Sequence, residues 1–467
     1  MKKIFTLICT AAVALGAMAG EFVSPGNGTT YTFADLAKID SCGVRSVDGV
    51  WVLDSTFTIS EGDVLRIQNN DVIMFTNKLQ LTINGKLEST PADTALITAV
   101  EGSTPKGFRL YNDNASAVLK NTRVEVIGFN FGSANGTFVA ENCTFADYNA
   151  SIASGANINF SKANTGNVIK GCTFENGATA AIGNGANTPI GIKISNCTFK
   201  GNNTKNSNRP QINLTSYGTE DVEIVDNVVI GGHFTKVGGI AVSNMLGYEF
   251  SNKVTVKGNL VKENRYGITM TGPVNMVIED NEIVDNIYET NANNGGSAIS
   301  LYDSSGKGKV VVKGNYMANN LWGITVIGAP DVNAGKVEDP TAADYNPGEN
   351  TFLNNGNNDV IYEFYNNGTG TVYAQGNYWK DCAKQDSASI ETVVFHKVDN
   401  DALGLVIFMP AGEEEPTSID DVNTNAQVAG VSYFDLMGRR SEAPFEGMNI
   451  VVTRYTDGKV SSRKVMK

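Results

Sequence analysis

Histidine is nearly absent, with His233 and His396 alone in 467 residues. Zinc centres built on several imidazoles, and hydrolases that depend on a Ser-His-Asp relay, have almost no material here. Cysteine is sparse at six, which excludes a small disulfide-stapled scaffold. Clustered lysine and arginine are missing over most of the chain, where 36 basic side chains face 49 acidic ones for a formal net charge of −13. Phosphate neutralisation needs such clusters, so nucleic acid is not an expected partner, and an acidic chain is a poor first match for any polyanion. Past the N-terminus no run approaches the roughly 20 apolar residues of a spanning helix, so no transmembrane span is expected. Hydrolases and lyases that work through carboxylates survive these exclusions.

What is abundant is asparagine, with 53 copies, 45 of them between residues 101 and 400, alongside 49 glycines. Both residues tolerate positive φ, so the chain turns often. At the start, Lys2 and Lys3 precede an apolar run from Ile4 to Leu15 and the small-residue triplet Ala17-Met18-Ala19. This is the pattern of a secretory signal peptide over residues 1–19, and it predicts export to the extracellular space or the outer-membrane surface.

The middle of the chain repeats. NCTFAD, GCTFENG, NCTFKGN, DNVVIGG, GNLVKEN, DNEIVDN, GNYMANN, NTFLNN and GNYWKDC align with Cys143, Cys172, Cys197, Asn227, Asn259, Asn281, Asn315, Asn350 and Asn377 in one column. Two places on lies an apolar column from Phe145 to Trp379, and five places on Asn202, Asn264, Asn286, Asn320 and Asn355. The spacing varies from 22 to 35 residues, which is a solenoid period with insertions such as 288–297 and 330–349. The pieces between are short, β-branched and bounded by Gly or Asn, so each is a strand that cannot bury its face alone and must stack on its neighbours. Equivalent residues then lie roughly 4.8 Å apart, and each column becomes a ladder. Asparagines in a ladder satisfy a bend. The three cysteines read as a buried thiol ladder, with a disulfide between adjacent coils as the rival.

Seven places after the first column stand Phe234, Tyr266, Tyr288 and Trp322. Pointing outward they would offer sugar rings a stacking stripe; pointing inward, the favoured reading, they would be core. The acidic groups Glu220, Asp221, Glu223, Asp226 and Glu279, Asp280, Glu282, Asp285 alternate over two strand faces and read as solvated. Basic candidates near the centre of the stack are Arg209, His233, Lys236, Lys257 and Arg265.

The repeat resembles the right-handed parallel β-helix family, often called pectate-lyase-like, with RYGITMTGPVNMVIEDNEIVDN similar to its coil consensus. The resemblance implies an all-β right-handed parallel β-helix over residues 50–410. It also implies work on acidic polysaccharides, either by elimination with a Lys or Arg base and Ca²⁺ on carboxylates, or by hydrolysis with paired Asp. The NTD and GHG signatures of polygalacturonases and the QD motifs of pectin methylesterases are absent, and unrelated adhesins share such coils. By position Arg265 is the candidate base or substrate clamp and Asp285 the candidate carboxylate, with Tyr266, Tyr288, Trp322 and His233 as candidate sugar contacts and no protein-built metal site.

Thr32 and Asp35 form a capping-box pattern in an N-terminal cap over 20–49. A linker at 411–420 leads to a β-rich module at 421–467, expected to be sandwich-like. Through YFDLMGRR, the run Gly447 to Val451 and the terminal Lys464 to Lys467, that module resembles the C-terminal sorting domain of the type IX secretion system of Bacteroidetes, which implies export machinery as a partner. The function expected is a surface or secreted β-helix that engages extended polysaccharide. The alternatives are a lyase or hydrolase, and a non-catalytic adhesin.

Overall fold

The corners of the coil set its shape. A computed structural model describes residues 21–149, 155–289, 291–413, 428–435, 439–455 and 460–466. The signal-peptide reading of residues 1–19 falls outside them. The chain divides into two units, Met1–Gly412 and Glu413–Lys467.

In the first unit the coils between the two ends each contribute one strand to each of three sheets of 14 strands. Sheet A runs from Phe22–Val23 to Val394–Phe395, sheet B from Thr30–Tyr31 to Val406–Ile407, and sheet C from Val44–Val47 to Tyr378–Trp379. Within these three sheets pairing is parallel except between the first two strands of sheet C, Val44–Val47 and Val50–Leu53, and a separate antiparallel pair joins Gly356–Asn357 to Val360–Ile361. This is a right-handed parallel β-helix, the hand that parallel crossovers take by default. Coil stacking already includes Phe22–Val23 and Thr30–Tyr31, ahead of the boundary expected at residue 50. Helix Phe33–Leu36, with the Thr32–Asp35 capping box formed, sits within that first turn.

From residue 142 to residue 315 the chain turns between sheets B and C within two residues, the first in the left-handed region and the second pointing inward, and the longer corners 334–350 and 374–377 end on the same pair. The left-handed residues are Asn142, Gly171, Asn196, Asp226, Gly258, Asp280, Gly314, Glu349 and Gly376, each one place before a ladder residue. Glycine follows Asp at two of these positions for a steric reason: a Cβ at Gly258 or Gly314 would lie 2.4 Å from the Asp226 or Asp280 carboxylate of the coil before. The inward residues form the predicted column. Asn281 Nδ2 donates to Asn315 Oδ1 and to Val256 O, both at 2.9 Å, while its Oδ1 accepts the Asn259 backbone N–H at 2.9 Å.

The same chemistry continues into the thiols. Cys197 Sγ accepts the Cys172 N–H at 3.4 Å and donates toward Ile169 O and Ser195 O. All three ladder cysteines are free and buried. Hydrogen bonding to Cys143 and Cys197, reinforced by burial, holds the Cys172 thiol protonated, well above its ordinary range. Two places on, Phe145, Phe174 and Phe199 stack face to face at 4.7 and 5.0 Å inside one continuous core.

The second Asn column occupies the corner between sheets C and A, from Asn264 through Asn286 and Asn320 to Asn355. The coil after Asn202 has Gly232 at that level, and Gln211 fills the gap by accepting from Asn202 and donating to Asn264 at 3.0 Å each. The column ends on Glu363, which is fully buried and accepts from the Asn355 backbone at 3.1 Å.

The second unit is a single four-stranded antiparallel sheet containing Val428–Phe434, Arg440–Ser441, Met448–Tyr455 and Val460–Met466. It is one sheet among the described residues, so the sandwich-like expectation is corrected. No helix among the described residues is long and apolar enough to cross a membrane.

Candidate functional site

Corners of unequal length create a cavity on the outer surface of sheet A. After Asn264 the chain reaches the strand Ile268–Thr271 through Arg265, Tyr266 and Gly267 alone. The following coil inserts residues 287–296 at the same level, and residues 203–211 bulge two coils earlier. A short corner between long ones is a notch. Its cavity of about 370 Å³ is floored by Thr269, Ser300 and Thr325 and walled by Tyr266, Trp322 and Tyr365.

Sheet A differs from its neighbours in charge. Among the described residues, Arg109 and the buried Asp303 are the only charged ones on its strands. Sheet B instead bears cross-coil ion pairs such as Lys120–Glu141 at 2.8 Å and Lys257–Glu279–Lys313 at 2.9 and 3.1 Å. The outward row of sheet A through the cavity reads Asn213, Ala241, Thr269, Ser300, Thr325, Tyr365 in register. Hydroxyls and amides therefore line a face that carries almost none of the chain's negative charge.

Of the residues predicted from sequence, the structure gathers Arg265, Tyr266 and Trp322 at the cavity. Arg265 braces its two walls: Nη1 donates to Asn208 Oδ1 at 2.6 Å, Nε donates to Asn294 O at 3.1 Å, and Glu289 Oε2 lies 3.3 Å away. Its carboxylate partner is thus Glu289. Asp285 sits in left-handed conformation at the sheet C to sheet A corner, its N–H donating to Ala318 O at 3.1 Å, and does not line the cavity.

The Tyr266 ring lies over Gly238, where a Cβ would come within 2.1 Å of it. Burial pushes its phenol up to about 12. Trp322 Nε1 donates to Ala292 O at 2.8 Å, and the ring packs 4.8 Å from Tyr362 and 5.0 Å from Tyr365. Tyr365 stacks on Phe395 at 4.8 Å, extending the aromatic surface by one coil.

His233 and Tyr288 meet elsewhere, stacked at 4.1 Å with His233 Nε2 3.1 Å from Glu263, and neither lines the cavity. All four aromatics of the predicted row are partly exposed, so the core reading is replaced by an outer one. Nor do they share one row. Trp322 pairs with Ser297 across sheet A, and Phe234 and Tyr288 lie in corner insertions. Sequence reasoning missed Tyr365 and the Thr269–Ser300–Thr325 row, although strand alternation in ITMT and the YNN run carried a signal for both.

The cavity lining contains no Asp or Glu. Calcium takes six to eight oxygen ligands, typically with carboxylates among them, and the nearby Glu289 is already engaged by Arg265. The lining therefore does not fit Ca²⁺. A separate cluster joins Glu391, His396 and Asp399. There His396 Nδ1 accepts the Val406 N–H at 2.8 Å, which puts the imidazole proton on Nε2, facing Glu391 at 2.9 Å. A ring whose second nitrogen carries the proton has no lone pair left for a metal, so this cluster closes the last coil.

No family model matches the chain, and no curated protein matches it. Among solved structures, the crystal structure of the periplasmic alginate epimerase AlgG is similar at a TM-score of 0.44 and 13% identity, covering 81% of this chain and 83% of that one. A likeness of that degree bears on neither the activity nor the substrate of this chain.

Proposed function

We propose that this chain binds an extended polysaccharide along the outer face of sheet A, with the Tyr266–Trp322 cavity as its principal sugar site. The observation that carries the reading is the composition of that cavity: aromatic rings for stacking, with a row of Thr, Ser and Asn beneath them, on a face almost free of charge. Binding is favoured over bond cleavage on three grounds. Hydrolysis needs two carboxyls about 5 to 9.5 Å apart, and the lining supplies neither. The Arg265 donors are committed to Asn208 and Asn294, which leaves the side chain bracing the walls. Tyr266, pushed up to about 12, holds its proton at neutral pH and makes a poor base.

The leader-like N-terminus and the C-terminal module support the further reading that the protein acts outside the cell, with the module engaging the export machinery.

Glycan-array screening followed by calorimetry tests the reading. Trp322→Ala and Tyr266→Ala should each weaken binding by about tenfold or more, with the β-rich circular dichroism spectrum retained to show that the coils still fold. Unchanged binding in both variants would overturn it. Unsaturated product absorbing near 235 nm, or reducing ends released by the wild type and lost in Trp322→Ala, would replace binding by catalysis.

A further inference from the structure

Sheet A carries a second aromatic feature far from the cavity. The Arg109 guanidinium lies 4.1 Å over the ring centre of Tyr111, which follows two places on, just past the end of the strand Gly107–Leu110. Tyr111 is 53% exposed. Its ring rests on Gly132 of the next coil, where a Cβ would lie 2.7 Å from Cδ2 and crowd Ser161 Oγ as well. Glycine at 132 therefore lets the ring lie down on the sheet.

Arg109 contrasts with Arg265. No carboxylate or carbonyl accepts from it among the described residues, so its fork of donors is free. A free guanidinium stacked on an exposed ring leaves both an aromatic surface and several donors for a polar, ring-shaped ligand.

The two features are joined. From Arg109 the outward row passes through Asn130, Asn159, Gly183, Asn213 and Ala241 to Thr269 on the cavity floor, each residue in register with the next. Six strand spacings of about 4.8 Å put the ends of this track roughly 29 Å apart. Between them it carries only amides and small residues, with no charge to repel a ligand and no aromatic to block one.

We infer that Arg109 and Tyr111 form a second sugar-binding locus, and that a single glycan chain runs parallel to the helix axis from it to the Trp322 cavity. The inference rests on the reading of sheet A as a glycan-binding face. At the distal locus a sugar ring packs against the exposed edge of Tyr111 and its oxygens accept from the Arg109 guanidinium held over the tyrosine ring. The amide track between the loci holds the chain in line.

Joining two weak sites through one chain raises avidity by about 10²-fold or more once the ligand is long enough to reach both. The test is calorimetric titration with size series, disaccharide to dodecasaccharide, cut from xylan, mannan and polygalacturonate. For the wild type, affinity should step up about 100-fold at the length that spans the track. The double variant Arg109→Ala/Tyr111→Ala should lose that step and keep the wild-type affinity for short oligomers, with an unchanged melting temperature. Trp322→Ala should weaken short and long oligomers alike. A step that persists in the double variant overturns the second locus and leaves the cavity standing. Failure of the wild type to bind any member of any series removes the second locus together with the reading of the face.

Discussion

Replacing Asn281 by alanine should cost the β-helix about 4 kcal/mol. Its side chain makes four hydrogen bonds, all at 2.9 Å: Nδ2 to Val256 O and to Asn315 Oδ1, and Oδ1 from the backbone and side-chain amides of Asn259. At about 1 kcal/mol net per bond the sum is roughly 4 kcal/mol, and donors left buried without acceptors push the figure upward. The molecule itself supplies the control. In the same column Cys197 accepts one amide and donates toward two carbonyls through a weaker group, so Asn281→Cys should recover part of the loss and cost roughly 2 kcal/mol. Urea unfolding followed by far-ultraviolet circular dichroism measures both, with the slope checked because solenoid coils can unfold separately. An alanine variant within about 1 kcal/mol of wild type would show that water replaces the ladder freely and that the column contributes little. A cysteine variant no better than alanine would refute the equivalence of thiol and amide.

Burial acts to raise the Asp63 carboxyl, but hydrogen bonds from the Ser24 hydroxyl and the amides of Gly26, Thr29 and Gly28 outweigh it and hold it below its ordinary range. A lowered pKa contributes stability above the unfolded value of about 3.9 that is lost as pH falls through the folded one, so residues 24–29 should lose hydrogen-exchange protection on acidification and in Asp63→Asn at neutral pH. Full protection in that variant would discount the anchor. Glu363 behaves in the opposite sense: burial first, then the neighbouring Asp381, pushes it well above the carboxylate range. The folded state then binds a proton that the unfolded chain releases, so stability declines as pH rises from about 4.3 towards the folded pKa, and Glu363→Gln should flatten that decline in thermal midpoints; an unaltered pH slope would count against it. The ladder thiols should resist maleimide in the native protein and react on denaturation without reductant, together with Cys42 and Cys382; fewer than these five reactive groups would reveal a bridge.

The ladders were legible in the sequence because the corner between sheets B and C ends the same way in coil after coil, and where it is lengthened, as over residues 334–350, the added residues precede the left-handed position and leave the last two in place. A left-handed residue followed by an inward amide is a two-residue solution, so Asp280-Asn281 and Gly314-Asn315 fall into line by simple alignment. The apolar column follows at a fixed distance along the next strand, and Phe145 to Trp379 stack as aligned. The capping box at Thr32 was equally local. The site was harder to read, since it depends on the corner between sheets C and A, where length varies from coil to coil.

Counting seven places from the ladder assumes that every coil enters sheet A at the same point. That holds after Asn259, where only Gly267 separates Tyr266 from the strand, and fails after Asn281, where residues 287–296 intervene and Tyr288 turns away to stack on His233. Distance along the chain and distance through the sheet agree only where nothing is inserted. Net charge misleads in a related way. The value of −13 argues against acidic partners only if the charge is spread evenly, and it is not: the Lys and Glu residues alternate down sheet B while the strands of sheet A keep Arg109 and one buried Asp. A polymer lying along sheet A meets the local field of that face, within a Debye length of about 10 Å, and the average over the chain does not describe it. Binding at the cavity should accordingly change little between low and moderate salt for a neutral oligosaccharide, whereas occupation of the Arg109 locus by a uronate should weaken. Salt sensitivity of equal size at both would mean that charge on the other sheets reaches the ligand, and the separation of faces would lose its functional meaning.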